Sequence, residues 1–135
     1  MIEKSNASID AKLWNAYAGS VFRFKTQWQV SSYAVITAWN PNSNQRSKEE
    51  NCISNQALEK QLNHVNYVPV TVGDDSFEWY EESYAVELSP AEAIILAKTF
   101  DQNAIYYVVN GVLYLIACVE PLVRKKIGAI EERLV

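Results

Sequence analysis

Asn110-Gly111 sits between two apolar runs, Ala104 to Val109 and Val112 to Ala117, and no other feature limits the fold as tightly. A two-residue connection between strands favours a type I′ turn, which needs φ above zero at both central residues. Asn-Gly meets that need best. The two runs therefore read as an antiparallel hairpin.

The rest of the chain falls into place around it. Ser8 to Ala18 reads as a short helix with Leu13, Trp14 and Tyr17 on one face, ended by Gly19-Ser20. Val21 to Lys25 alternates apolar and charged, as a half-buried strand does. Ser32 to Trp39 has few polar positions on either face, which suits a central strand covered on both sides. Ser47 followed by Glu50 forms a capping box, and Leu58, Leu62 and Val65 mark the apolar stripe of the helix behind it. Tyr67 to Val72 is a strand that Pro69 pushes to an edge or a bulge.

Glu78 to Leu88 is the longest strand candidate. Tyr80, Tyr84, Val86 and Leu88 lie on its apolar face; Trp79, Glu81, Ser83, Ala85 and Glu87 lie on a mixed one. Ser89 to Glu92 is a second capping box with Pro90 at the first helical position, and that helix breaks at Asp101-Gln102-Asn103. After Pro121, the stripe Val123, Ile127, Ile130 and Leu134 predicts a last helix, weakened by Gly128. The predicted order is α-β-β-α-β-β-α-β-β-α. It implies an α+β fold: a single domain with a five- to six-stranded, mostly antiparallel or mixed sheet and three to four packed helices. The domain is assigned to residues 1–120, and 121–135 to a C-terminal helical extension.

Composition sets limits on function. Sixteen acidic and twelve basic residues leave a net charge of −4 over 135 residues. Such a balance argues against extended binding to a nucleic-acid backbone, which relies on clustered Lys and Arg. The basic run Arg124-Lys125-Lys126 is followed by Glu131 and Glu132 and reads as a solvated face. One His and two Cys fall short of the roughly four ligands of a structural zinc site, so no metal and no cofactor are expected. Met1 to Asn6 lacks an apolar h-region, and no run approaches the ~18 apolar residues of a membrane span. With Cys52 and Cys118 both expected free, the expectation is a cytoplasmic protein without membrane contact.

Polar residues gather in three places. The apolar run to Trp39 stops at Asn40-Pro41-Asn42-Ser43. The stripe of the following helix, traced backwards, turns polar at Asn51, Ser54 and Asn55. Gln102 and Asn103 stand before the final hairpin. Amides donate and accept, so such a group can read a base edge, a peptide bond or a sugar hydroxyl without charge. The same residues also suit a purely local role, since Asn-Pro forms turns and buried amides satisfy neighbouring backbone. Glu81 and Ser83 share a strand face near Trp79, where desolvation would lift a carboxyl pKa towards that of a general base. Glu50 is the weaker base because capping already explains it. His64 has no His or Cys at ligand spacing, and Cys52 faces away from the amide stripe. Four Trp and eight Tyr are many for this length; they fit cross-strand packing first and an aromatic groove second.

Several of these residues together resemble the domain-of-unknown-function 3293 family of small bacterial proteins. The resemblance rests on Ile36-Thr37-Ala38-Trp39-Asn40-Pro41 with Ser43, Glu50-Asn51 with Asn55, Trp79 through Glu82-Ser83, and Phe100 followed by Gln102-Asn103-Ala104-Ile105. It spans about Leu13 to Ala117, and the stretch from Pro121 lies outside it. Where many members carry a Gly before the Gln, this chain has Asp101. The resemblance implies a fold-sized unit whose polar clusters belong together, and it implies no activity.

Three functions are compatible with these readings. The first is a binding module holding a small polar ligand, a peptide or a nucleotide segment among Asn40, Ser43, Asn51, Asn55, Ser83, Gln102 and Asn103. The second is an enzyme of hydrolase or transferase type with Glu81 as general base. The third is a structural or protein-interaction domain. The chain is expected to be a monomer or a homodimer through its terminal helix or a strand edge.

Overall fold

Seven strands hydrogen-bond into one antiparallel sheet in a computed structural model that describes residues 11–120 and 122–135. In chain order the elements are α1 (Ala11–Ala18), β1 (Val21–Phe24), β2 (Ser32–Ile36), α2 (Lys48–Lys60), β3 (Tyr67–Gly73) and β4 (Tyr80–Val86). They continue with α3 (Pro90–Thr99), β5 (Ala104–Val109), β6 (Val112–Ala117) and β7 (Arg124–Ala129). Short 3-10 turns occupy Pro41–Ser43 and Ile130–Arg133. The expected helix start at Ser8 and the segment Met1 to Asn6 lie outside the described residues, as does Pro121.

The sheet order is β1-β3-β4-β2-β5-β6-β7, which puts β2 in the middle as its two-sided apolar run predicts. Side chains of the central strands alternate between two cores. Ala34, Ile36, Ile105, Tyr107 and Ile116 face one side and pack on Leu58 and Leu62 of the α2 region and on Ala93 and Ala97 of α3. Tyr33, Val35, Tyr106, Val108, Leu113 and Leu115 face the other and meet Phe22, Val70, Val72 and Ile130. Near-continuous hydrophobic sequence is what a strand buried on both faces requires.

The second core lies inside a curl of the sheet. The chain beyond β7 returns to the opposite edge, where Leu134 bridges Phe22 of β1 and the Val135 amide donates to the Phe22 carbonyl at 3.0 Å. The result is a half-barrel with α1 at one end, its Trp14 and Tyr17 packed on the inner core. Both capping boxes form as expected: the Glu50 and Glu92 amides donate to Ser47 and Ser89 Oγ at 3.1 and 3.2 Å. Asn110 and Gly111 have φ of 48° and 83°, as a type I′ hairpin needs.

Two expectations need correction. The predicted terminal helix from Pro121 is absent among the described residues 122–135: Arg124–Ala129 is a strand on β6, followed by a 3-10 turn. This seventh strand takes the sheet beyond five or six, and three α-helices are present among the described residues. The physical reason is Gly128, whose φ of 130° is closed to a helix and serves an irregularity in the pairing near Leu113 and Tyr114. The β6 edge left by the hairpin takes the segment as a strand. Pro69 also lies in an interior strand, yet β1 pairs only from Val70 to Gly73, so the proline stands just beyond its neighbour's end.

Arg133 closes the seam. Its Nη1 donates to the carbonyls of Ala18 and Ser20, and its Nη2 donates to that of Ile127 at 2.8 Å. Replacing it by Ala removes a charged donor from three carbonyls, so Arg133→Ala should lower stability by roughly 2 kcal/mol in urea denaturation. An unchanged midpoint would mean that the seam contributes nothing to the curl.

Candidate functional site

Regular pairing of β2 with β4 stops at Ile36 opposite Tyr84. Beyond that point a side-chain amide replaces the ladder. Asn55, on the inward face of α2, accepts the Ala38 amide at 2.8 Å and donates to the Glu82 carbonyl at 2.9 Å. Its carboxamide thus bonds both segments as an intervening peptide would. Thr37 Oγ1 donates to the same Glu82 carbonyl and accepts the Trp39 amide.

The next two peptides are held likewise. Gln102 Nε2 donates to the carbonyls of Trp39 and Phe100 at 3.0 and 3.2 Å. Asn51 accepts the Asn40 amide at 2.9 Å and donates to Asn40 Oδ1 at 3.0 Å. These amides fix a turn in which Asn40, Asn42 and Ser43 all have φ between 48° and 62°, a conformation Asn tolerates better than most residues. The Asn42 amide also donates to the Asp101 carbonyl at 2.7 Å. Asp101 has φ 56° itself, so it occupies the left-handed helix-ending position that most often takes Gly.

The turn forms one wall of a cleft of about 650 Å³. Tyr17 of α1, Trp39, Trp79 and Tyr80 supply aromatic surface; Asn40, Ser43, Asn51 and Glu81 supply polar groups, and Arg46, Lys48 and Glu78 also line it. Trp39 and Tyr80 pack with ring centroids 5.6 Å apart. Ser43 Oγ accepts from Asn103 Nδ2 at 2.7 Å and lies 2.8 Å from the Tyr17 hydroxyl. A smaller space of about 30 Å³, lined in part by Thr37, Ser83, Gln102 and Tyr106, also touches Glu81, Tyr17 and Trp79.

Glu81 therefore stands between the cleft and the inner core. Asn40 Nδ2 donates to its Oε2 at 2.9 Å. Burial raises its carboxyl from the ordinary 4.5 to about 7, and the Asn40 bond offsets part of that rise. Glu50 behaves oppositely. Bonding from the Ser47 amide holds it below its ordinary value, so the cap disqualifies it as a base near neutral pH.

Of the residues singled out by sequence, the structure brings Asn40, Ser43, Asn51 and Glu81 to the cleft, and Ser83 and Gln102 to the inner space. Asn55 and Asn103 line neither. Asn51, Asn55 and Gln102 use their amides on loop backbone, the local role weighed for them. Sequence reasoning did not place Tyr17, Arg46 or Lys48 at the site. Tyr17 read as one member of an apolar helix stripe, and nothing local signals that α1 caps the half-barrel beside Glu81. Among the described residues, no group of three or more His, Cys, Asp or Glu is gathered to hold a metal ion.

The pKa shift makes a stability prediction. A carboxyl whose folded pKa exceeds its unfolded value contributes stability present in full below pH 4.5 and lost as pH rises to about 7. A shift of this size corresponds to roughly 3 kcal/mol at most. Glu81→Gln should therefore be more stable than the parent above pH 7, by about 1–3 kcal/mol, and lose the advantage near pH 4.5. Urea denaturation across this range measures it; a difference independent of pH would show that Glu81 ionises normally.

With the site described, comparison with known proteins adds one finding. The family model described as "Protein of unknown function (DUF3293)" matches residues 36–105, a narrower span than Leu13 to Ala117. It runs from the end of β2 to the start of β5 and takes in the whole amide-held turn and Glu81. No curated protein and no solved structure matches the chain. The chain belongs to the DUF3293 family.

Proposed function

We propose that this DUF3293 family member is a binding module that takes a small polar ligand, or a peptide or nucleotide segment, in the cleft floored by Glu81. The observation carrying the reading is the Glu81 carboxyl itself, desolvated, fixed by Asn40 and facing an aromatic-walled space. A cleft of about 650 Å³ falls within the range of small-molecule sites, and so does its mixture of apolar walls and few polar groups. Ligand contacts fall to Glu81, Asn40 and Ser43 with Trp39, Trp79 and Tyr80. Asn51, Asn55 and Gln102 keep the turn in place, as positioning residues.

A cytoplasmic setting belongs to the same reading. Cys52 is exposed and Cys118 buried, and both are free thiols. Among the described residues, no helix is long and apolar enough to cross a membrane.

A thermal-shift panel of nucleotides, sugars and amino acids tests the proposal. At a ligand concentration of about 100 Kd the native state gains roughly 2.7 kcal/mol, worth several degrees in Tm. At least one member should raise Tm in the parent and fail to do so in Trp79→Ala. Silence across the panel, with no change in tryptophan fluorescence, would remove the reading.

A second reading has one observation in its favour. A pKa of about 7 is the value a general base needs near neutral pH. On this reading Glu81 deprotonates a hydroxyl or water in a hydrolase- or transferase-type reaction. Its kcat/KM would rise about tenfold per pH unit below 7 and level off above it. A screen of ester, phosphoester and glycoside substrates that shows no turnover lost in Glu81→Gln would dismiss it.

A further inference from the structure

An acid this well desolvated ordinarily has a cationic partner, because leaving a carboxylate unpaired in a protein interior is costly. Among the described residues Glu81 has none, and its one hydrogen-bond donor there is the neutral amide of Asn40, on Oε2. Arg46 lines the same cleft, yet its guanidinium pairs with Glu50 at 3.8 Å. Tyr17, Trp39, Trp79 and Tyr80 line the cleft beside Glu81, and rings attract cations through their negative faces.

The geometry points to a small organic ammonium as the ligand, its cationic head paired with Glu81 Oε1 between the faces of Trp39, Trp79 and Tyr80. The inference rests on the binding-module reading and names the ligand class of that same cleft. Such a ligand supplies the counter-charge that the protein leaves out. It also uses the aromatic wall for more than buried area, since a desolvated cation is attracted to the face of an indole ring. Glu78 adds a second negative charge to the cleft; of the two cations that also line it, Arg46 is paired with Glu50 and Lys48 opens α2.

Binding of this kind depends on pH in a defined direction. Glu81 must be ionised to pair, so affinity rises with pH through its titration. Arg46, Lys48, Glu78 and Tyr80 line the same cleft, and Tyr17 of α1 and Tyr106 of β5 interact electrostatically with Glu81. Burial pushes the Tyr17 and Tyr106 phenols above their ordinary value, so they stay neutral across that range.

Benzylammonium, benzyl alcohol and phenylacetate, a cation, a neutral isostere and an anion, make the test. Each is titrated into the intact chain while the indole N–H resonances are followed by NMR, with Trp39→Phe and Trp79→Phe assigning the signals. Benzylammonium should shift the Trp39 and Trp79 signals most, with affinity rising about tenfold between about pH 6 and pH 8. In Glu81→Gln, benzylammonium should bind no better than benzyl alcohol. If the variant fails to fold, the pH profile of the parent carries the same information. Tighter binding of the alcohol or the anion to those tryptophans, or a flat pH profile, overturns the ammonium assignment and leaves the cleft as a binding site. No shift with any probe overturns both.

Discussion

One carboxamide, that of Asn55, decides where the sheet ends and the site begins. A strand as apolar as Ser32 to Trp39 has every reason to keep pairing with β4. It stops because Asn55 takes the Ala38 amide and the Glu82 carbonyl that would otherwise serve the ladder. Buried backbone groups must find partners, so a strand can leave a sheet only where something else supplies them. Asn55, Asn51 and Gln102 do so for three successive residues, Ala38, Asn40 and Trp39. The divergence they permit opens the cleft over Glu81.

This arrangement explains why the amides are buried and yet are poor candidates for ligand contacts. An amide bonded on both its oxygen and its nitrogen, as those of Asn51 and Asn55 are, offers little to a newcomer. The chemistry passes to the group the scaffold leaves under-satisfied, Glu81, which has a single neutral donor and a space in front of it. Polar residues can thus be essential to a site without touching what it binds. Rigid backing of this sort is what keeps a contacting group in place.

Much of the fold could be read from local chemistry. The Asn110-Gly111 hairpin, both capping boxes and the central position of β2 each depend on residues within a few positions of one another, and each formed. The C-terminal segment misled because Val123, Ile127, Ile130 and Leu134 carry a helical spacing, while Arg124–Ala129 pairs with the preceding strand β6 and Leu134 reaches Phe22 of β1. The second of these contacts is long-range and has no local signature. The candidate site divided the same way. Helical periodicity found Asn51 and Asn55, and strand alternation paired Glu81 with Ser83. That Tyr17 would lie near Glu81 depends on α1 crossing the end of the curl, a long-range fact with no local signature.

The placement of Glu81 runs against stability, and that is the strongest physical argument that the cleft has a use. Its strand neighbours on the inner face are Ser83 and Ala85, both buried, and a glutamine in its place would keep the bond to Asn40 with no desolvated charge. Structural roles at such a position are filled more cheaply by neutral groups. Asn40 is not a counter-ion that would redeem the burial; among the described residues it bonds one oxygen and no other donor meets the second. Desolvation without compensation is characteristic of sites that draw their energy from what arrives, since the missing partner is then supplied on binding rather than on folding. The same reasoning ranks the two functional readings. A base needs only its raised pKa, whereas the proposed binding module also draws on the aromatic side chains of Trp39, Trp79 and Tyr80 that line the cleft with Glu81.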